Sequence, residues 1–157
     1  MSSVDECLGA AEPEKIVRDV SIAPLTTLDL GGAADFLVEA ERTADAIDAA
    51  RWARSRSLPL LILAGGSNLV VADDGWRGLV IRVANHGIEM ERDRDEVLVT
   101  ASAGESWDAF VEAMVAEGLA GLECLGGIPG TVGATPIQNV GAYGQEVATT
   151  IELVRAL

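Results

Sequence analysis

Apolar and polar residues follow two periods along this chain, and the change from one to the other sets its predicted elements. Ala33 to Ala40, AADFLVEA, reads as a short strand. Thr43 is placed to cap a helix over about 44–57, where Ala46, Ala49, Ala50 and Ala53 recur on one face as a narrow apolar stripe. Leu58 and Pro59 end that helix, and Leu60 to Leu63, LLIL, reads as a strand apolar on both faces. Strand, helix and buried strand predict a βαβ unit with a right-handed crossover. This assigns 18–72 to a first lobe, after a loose acidic lead-in over 1–17.

From residue 73 the pattern turns β-rich and predicts a second lobe over 73–157. Leu79 to Val83, Gly87 to Glu91 and Val97 to Ser102 read as strands, the last two joined by a charged hairpin turn at 92–96. Ser106 is placed to cap a helix to Glu117, with Trp107, Phe110, Val111 and Met114 at i, i+3, i+4 and i+7, and Gly118 closes it. Thr149 to Leu157 reads as the start of another strand with nothing after it to cover its apolar face. The chain is therefore expected to be truncated at its C-terminus.

Composition narrows the function classes. The 157 residues are 49% hydrophobic and 23% charged, which suits a folded soluble protein. The formal charge of −14, from 25 acidic against 11 basic residues, argues against nucleic acid as a partner and leaves local dipoles and a few placed cations to hold any anionic ligand. Cys7 and Cys124 are far apart and lack metal-ligand spacing, so neither a disulfide nor a metal site is expected. The N-terminus lacks signal-peptide character, and no apolar run reaches the ~18 residues of a membrane span. A cytoplasmic protein without a membrane partner is the expectation.

The chemistry concentrates in two loops. Leu125 to Glu146, LGGIPGTVGATPIQNVGAYGQE, is rich in glycine and almost free of charge. Ordering such a loop costs conformational entropy, and a ligand approached closely by bare backbone would offset that cost. Backbone N–H groups can bind phosphate oxygens without Lys or Arg. Ile128, Val132, Ile137, Val140 and Tyr143 punctuate the loop as residues expected to be buried, which argues against a surface linker. The second loop, Gly65-Gly66-Ser67-Asn68, follows the buried strand, where α/β proteins bind ligands. From these four residues alone a pyrophosphate loop and an ordinary β-turn both remain open. Neither GxxxxGK[ST] nor a Rossmann GxGxxG is present. Thr26 to Gly32, TTLDLGG, reads alone as a turn, and Trp52, Trp76 and Trp107 as packing. His86, beside Asn85 and Gly87, reads as a turn residue, and no carboxylate pair stands out as acid and base.

Taken in order, TTLDLGGAA, LPLLILAGGSNLVVADDGWRGLVI, AGESWDAFV and GLECLGGIPGTVGATPIQNVGAYGQE closely resemble the UDP-N-acetylenolpyruvoylglucosamine reductase (UDP-N-acetylmuramate dehydrogenase) family over about 22–157. The GIPGTVGATPIQNVGAYGQE block is highly specific, whereas GGSN is shared with other flavoproteins. The resemblance implies an α+β, two-lobed FAD-binding fold of the vanillyl-alcohol-oxidase (PCMH) type, with non-covalent FAD between the lobes. It implies cofactor contacts from Ala64, Gly65, Gly66, Ser67, Asn68 and Leu69, and from Ile128, Pro129, Gly133, Ala134, Thr135, Ile137 and Gly141. Tyr143 is a candidate for approaching the substrate.

The implied reaction is reduction of UDP-N-acetylglucosamine enolpyruvate to UDP-N-acetylmuramate in peptidoglycan synthesis, with NADPH as hydride donor, by an enzyme monomeric when complete. The family's arginine, proton-donating serine and glutamate are expected beyond Leu157, with its substrate domain. Their roles are not assigned to Arg82, Ser102 or Glu146, and this chain alone is expected to have little or no activity. Two rivals are a non-catalytic flavin-binding fragment needing a partner chain, and a flavin oxidase of the same fold. The GATPIQNVGAYG block and the setting of His86 argue against the oxidase.

Overall fold

The computed structural model describes residues 10–94 and 96–157. The chain forms two compact units. One runs to Leu63 and resumes over Leu69–Val83, and the other comprises Ala64–Asn68 and Ala84–Leu157. Cys7 and residues 1–9 of the expected lead-in lie outside the described residues.

The first unit is a four-stranded sheet with one helix. Strands β1 (Val17–Ser21), β2 (Ala33–Ala40), β3 (Leu60–Leu63) and β4 (Trp76–Val83) lie in the order β1-β2-β4-β3. β1 pairs antiparallel with β2, and β4 runs parallel to both β2 and β3. Side-chain alternation divides the core between the two faces of the sheet. Leu79 and Ile81 join Val38 and Ala40 against the helix residues Ala49, Trp52 and Ala53. Val80 turns the other way, to Ala34, Leu37, Leu63, Ile22 and Val71. Phe36 meets Trp52 edge-on, with ring centroids 5.1 Å apart.

Helix α1 (Thr43–Ser55) buries the expected stripe, but Thr43 is not its cap. Arg42 holds that position, and its N–H donates to the Asp45 carboxylate at 3.1 Å. The helix closes through Ser57 in the left-handed region, with Ser57 N–H to Arg54 O and Leu58 N–H to Ala53 O, the double bond of a Schellman motif.

Three readings of this unit change. β4 was expected within the second lobe, yet it lies in the first sheet between β2 and β3, so those two strands do not pair and the division moves beyond residue 72. Among the described residues β3 is an edge strand, and the face carrying Leu60 and Ile62 joins neither core cluster, so these residues are 41% and 57% exposed where a strand buried on both faces was expected. Val17, assigned to the lead-in, begins β1. The TTLDLGG stretch is a turn, as expected, pinned by buried Thr26, whose Oγ1 accepts the Leu30 N–H.

In the second unit, β5 (Ile88–Asp93) and β6 (Glu96–Ala101) form the expected hairpin. α2 (Trp107–Ala116) buries Trp107, Phe110, Val111 and Met114, and Gly118, at φ +74°, caps it. These side chains share a cluster with Leu125 and Val147. A one-turn helix, α3 (Thr135–Gln138), and a small hairpin, β7 (Gly141–Ala142) with β8 (Gln145–Glu146), follow. Residues 151–157 form no strand, because among the described residues none lies alongside to take their backbone hydrogen bonds.

Trp52 is 1% exposed, and its Nε1 lacks a partner among the described residues. Trp52→Ala should cost about 3–5 kcal/mol in urea unfolding. Trp52→Phe should cost clearly less, since it also removes the unsatisfied N–H.

Candidate functional site

The glycine-rich loop is held in place by the segment that leads into α2. Gly133 N–H donates to Ala103 O and Val132 N–H to Glu105 O, both at 2.9 Å, while Trp107 N–H donates to Gly130 O at 3.1 Å. Ser106 and Thr131 face each other across this short antiparallel bridge. Ser106 occupies the helix N-cap position but makes no capping hydrogen bond, against expectation. The Trp107 N–H at the start of the helix is instead taken by the loop. Two further bonds secure it: Trp107 Nε1 to Leu125 O at 2.9 Å, and Gly127 N–H to Asp108 Oδ1 at 2.6 Å. A Cβ on Gly133 would lie 2.5 Å from that of Ala103, so only glycine permits this spacing.

The two loops singled out from the sequence meet within this unit. A Cβ added to Gly65 would stand 3.2 Å from Gly130 Cα, and one on Gly130, at φ +136°, 3.6 Å from Ser67 Oγ. Ser67 Oγ donates to Pro129 O at 3.3 Å, tying the loops across 62 positions of sequence. Among the described residues, no protein group accepts from the backbone N–H of Gly65, Gly66, Ser67 or Asn68. Gly66 is buried with φ +66°, while Gly65 and Asn68 are exposed and Ala64 and Ser67 half-buried. The result is an uncharged cradle of backbone donors and a hydroxyl.

The remaining expected contacts divide into two groups. Ile128, Gly133 and Ala134 are half-buried near the loop junction, and Pro129 is exposed with its carbonyl on Ser67. Thr135 is buried and its hydroxyl donates to Val132 O at 2.8 Å, which commits its proton. Ile137 is 85% exposed, and Gly141 is exposed on the β7–β8 hairpin. Tyr143, at φ +51°, is 93% exposed at that hairpin's tip beside Gly144. The burial expected of Ile137 and Tyr143 does not occur, because the one-turn helix and the two-residue turn aim them outward, whereas Ile128, Val132 and Val140 do join the core. Leu69 belongs to the first unit, where it packs beside Val71 and Ile22.

Sequence reasoning missed Thr131, whose Oγ1 is buried without a partner among the described residues. It also missed the anchoring role of residues 103–107, although the AGESW segment was part of the resemblance. His86 is exposed as expected, but its Nδ1 stands 3.4 Å from Glu105 Oε2. The Gly87 N–H donates to Glu105 Oε1 at 2.6 Å, and this bond, followed by His86, holds the Glu105 carboxyl below its ordinary value.

Among the described residues, no His, Cys, Asp and Glu cluster could hold a metal, and no helix is long and apolar enough to cross a membrane. Two glycine loops thus touch at Gly65 and Gly130 with no charged side chain at the contact. The chain belongs to the FAD binding domain family, whose model matches residues 34–157, and its fold is that α+β FAD-binding fold. It is 53% identical over 138 residues to the UDP-N-acetylenolpyruvoylglucosamine reductase of Nocardia farcinica, an alignment covering 88% of this chain and 35% of that protein. The reductase of the same name from Streptomyces coelicolor is 48% identical over 145 residues, 92% of this chain and 37% of that one. The crystal structure of the Thermus caldophilus reductase matches with a TM-score of 0.63 and 31% identity, over 82% of this chain and 44% of that chain. The chain thus spans little more than a third of the length of these curated relatives.

Gly130→Ala should destabilise the second unit by about 1–3 kcal/mol in chemical unfolding, because alanine is strained at its φ. A second expectation concerns pH. The folded Glu105 pKa lies below its unfolded value, so its stabilising contribution is present above the unfolded pKa and is lost as pH falls through the folded one. Acid unfolding followed by tryptophan fluorescence should be shallower for Glu105→Gln than for the parent.

Proposed function

We propose that the second unit binds FAD non-covalently, with the dinucleotide's pyrophosphate on the 65–68 amides at the junction with Pro129 and Gly130. The observation that carries this reading is that the 65–68 N–H groups have no acceptor among the described residues, where Gly65 approaches Gly130. The residues fit the group: both loops lack side chains that would fill the cradle, and the donors are neutral, as a strongly acidic chain requires. Ala64, Ser67, Asn68, Ile128, Pro129 and Ala134 line it. Gly133 contributes surface, since Ala103 already takes its N–H. Thr135 contributes shape, since Val132 takes its hydroxyl proton. Ile137 and Gly141, exposed farther along the loop, are offered to the flavin.

The chain then serves an NADPH-dependent reductase that converts UDP-N-acetylglucosamine enolpyruvate to UDP-N-acetylmuramate. FAD, when bound, supplies hydride transfer between the nicotinamide and the enolpyruvyl double bond. The protein's part is to orient the flavin on a fixed backbone and to keep charged side chains away from its anionic bridge. Tyr143, exposed at its hairpin tip, is available to a nucleotide-sugar substrate. No residue of this chain is assigned to protonate the substrate carbon. We place the enzyme in the cytoplasm as a monomer, without nucleic-acid or membrane partners.

Titration of the purified 157-residue protein with FAD, followed by flavin fluorescence, tests the reading. Saturable 1:1 binding is expected, with FMN, which lacks the pyrophosphate, binding at least tenfold more weakly, as loss of charge-assisted hydrogen bonds predicts. Absence of saturable FAD binding, or equal affinity for FMN, would overturn it.

A further inference from the structure

The bonds that fix the glycine loop begin one layer farther back. Residues 130–133 are tied to 103–107 by three backbone hydrogen bonds, and 102–105 are in turn tied to 85–87. In that second layer Gly104 N–H donates to Asn85 Oδ1 at 3.0 Å, Ser102 N–H donates to Gly87 O at 2.9 Å, and Gly87 N–H donates to Glu105 Oε1 at 2.6 Å. Glu105 belongs to both layers. Its carbonyl accepts from Val132, and its side chain clasps Gly87, with His86 Nδ1 3.4 Å from Glu105 Oε2. The carboxylate side chain is 22% exposed, so its bond to Gly87 is partly shielded from water. Gly104 gives no slack, because a Cβ there would collide with the Asn85 backbone.

We infer that Glu105 is a positioning residue for the flavin site, acting through the 103–107 segment on the Gly130–Gly133 loop and touching neither cofactor nor substrate itself. The inference rests on the FAD-binding reading for its consequence but not for its geometry. Glu105 fixes one bank of the cradle from behind, with Asn85 as its neighbour in the same clasp. A charge-assisted bond to a backbone N–H is directional, and its loss frees the segment from which Val132 and Gly133 hang. Gln in place of Glu105 keeps an acceptor of the same reach for Gly87 and should keep the loop in place near neutral pH.

Two readouts test this, the first without any ligand. In hydrogen exchange of the ligand-free chain, Glu105→Ala should speed exchange of the Val132 and Gly133 amides, leave β2 and β4 unchanged, and Glu105→Gln should restore protection. Faster exchange confined to 85–88 and 102–106 would overturn the inference, whatever the outcome with flavin. In FAD titrations Glu105→Ala should weaken affinity about tenfold and change the visible circular dichroism of bound flavin, with Glu105→Gln close to the parent. Unchanged affinity and dichroism in Glu105→Ala would also overturn it. Failure of the parent chain to bind FAD would count against the functional reading alone, because the exchange experiment still decides the positioning role. If Glu105→Ala does not fold, Asn85→Ala, which removes the Gly104 acceptor, should reproduce the exchange pattern in weaker form, and an unchanged pattern would refute it.

Discussion

The second unit depends on the close approach of two backbones at Gly65 and Gly130, where a Cβ on Gly65 would stand 3.2 Å from Gly130 Cα and Gly130 holds φ +136°. The contact decides which amides remain open to a ligand and which are consumed internally. On the Gly130–Gly133 side the Val132 and Gly133 N–H groups are spent on Glu105 and Ala103, which ties that segment down. On the Gly65–Asn68 side they remain available.

The first unit shows how the same chain uses alternation to serve two faces of one sheet. Leu79, Val80 and Ile81 are consecutive, yet they feed two separate clusters. That arrangement gives β4 the central place and leaves β3 at the margin with Leu60 and Ile62 exposed.

Much of this architecture was legible in the sequence. β2, the β5–β6 hairpin and α2 follow from local period, and the Trp107, Phe110, Val111 and Met114 stripe is buried as read. Both glycine loops were recognisable from composition alone. What local pattern could not supply was partnership. Nothing in LLIL says that the face carrying Leu60 and Ile62 will lie outside both clusters, so its apolar residues read as doubly buried. Nothing in GGSN says that it will lie against Pro129 and Gly130. Ile137 and Tyr143 misled because an apolar side chain in a tight turn points where the turn sends it, and only the three-dimensional turn reveals that direction. The helix caps failed for a related reason, since Ser106 gave way to a long-range backbone bond and Thr43 to the Arg42–Asp45 pair.

The tip of the β7–β8 hairpin has a practical consequence. Tyr143 is the sole tyrosine of the chain, and it stands almost wholly in solvent at the apex of a two-residue turn. Tyrosine-selective labelling would therefore modify one known position in this protein, beside the loop that carries its most distinctive residues. The fold has supplied a single chemical address from which approach to that loop can be watched without introducing a foreign side chain.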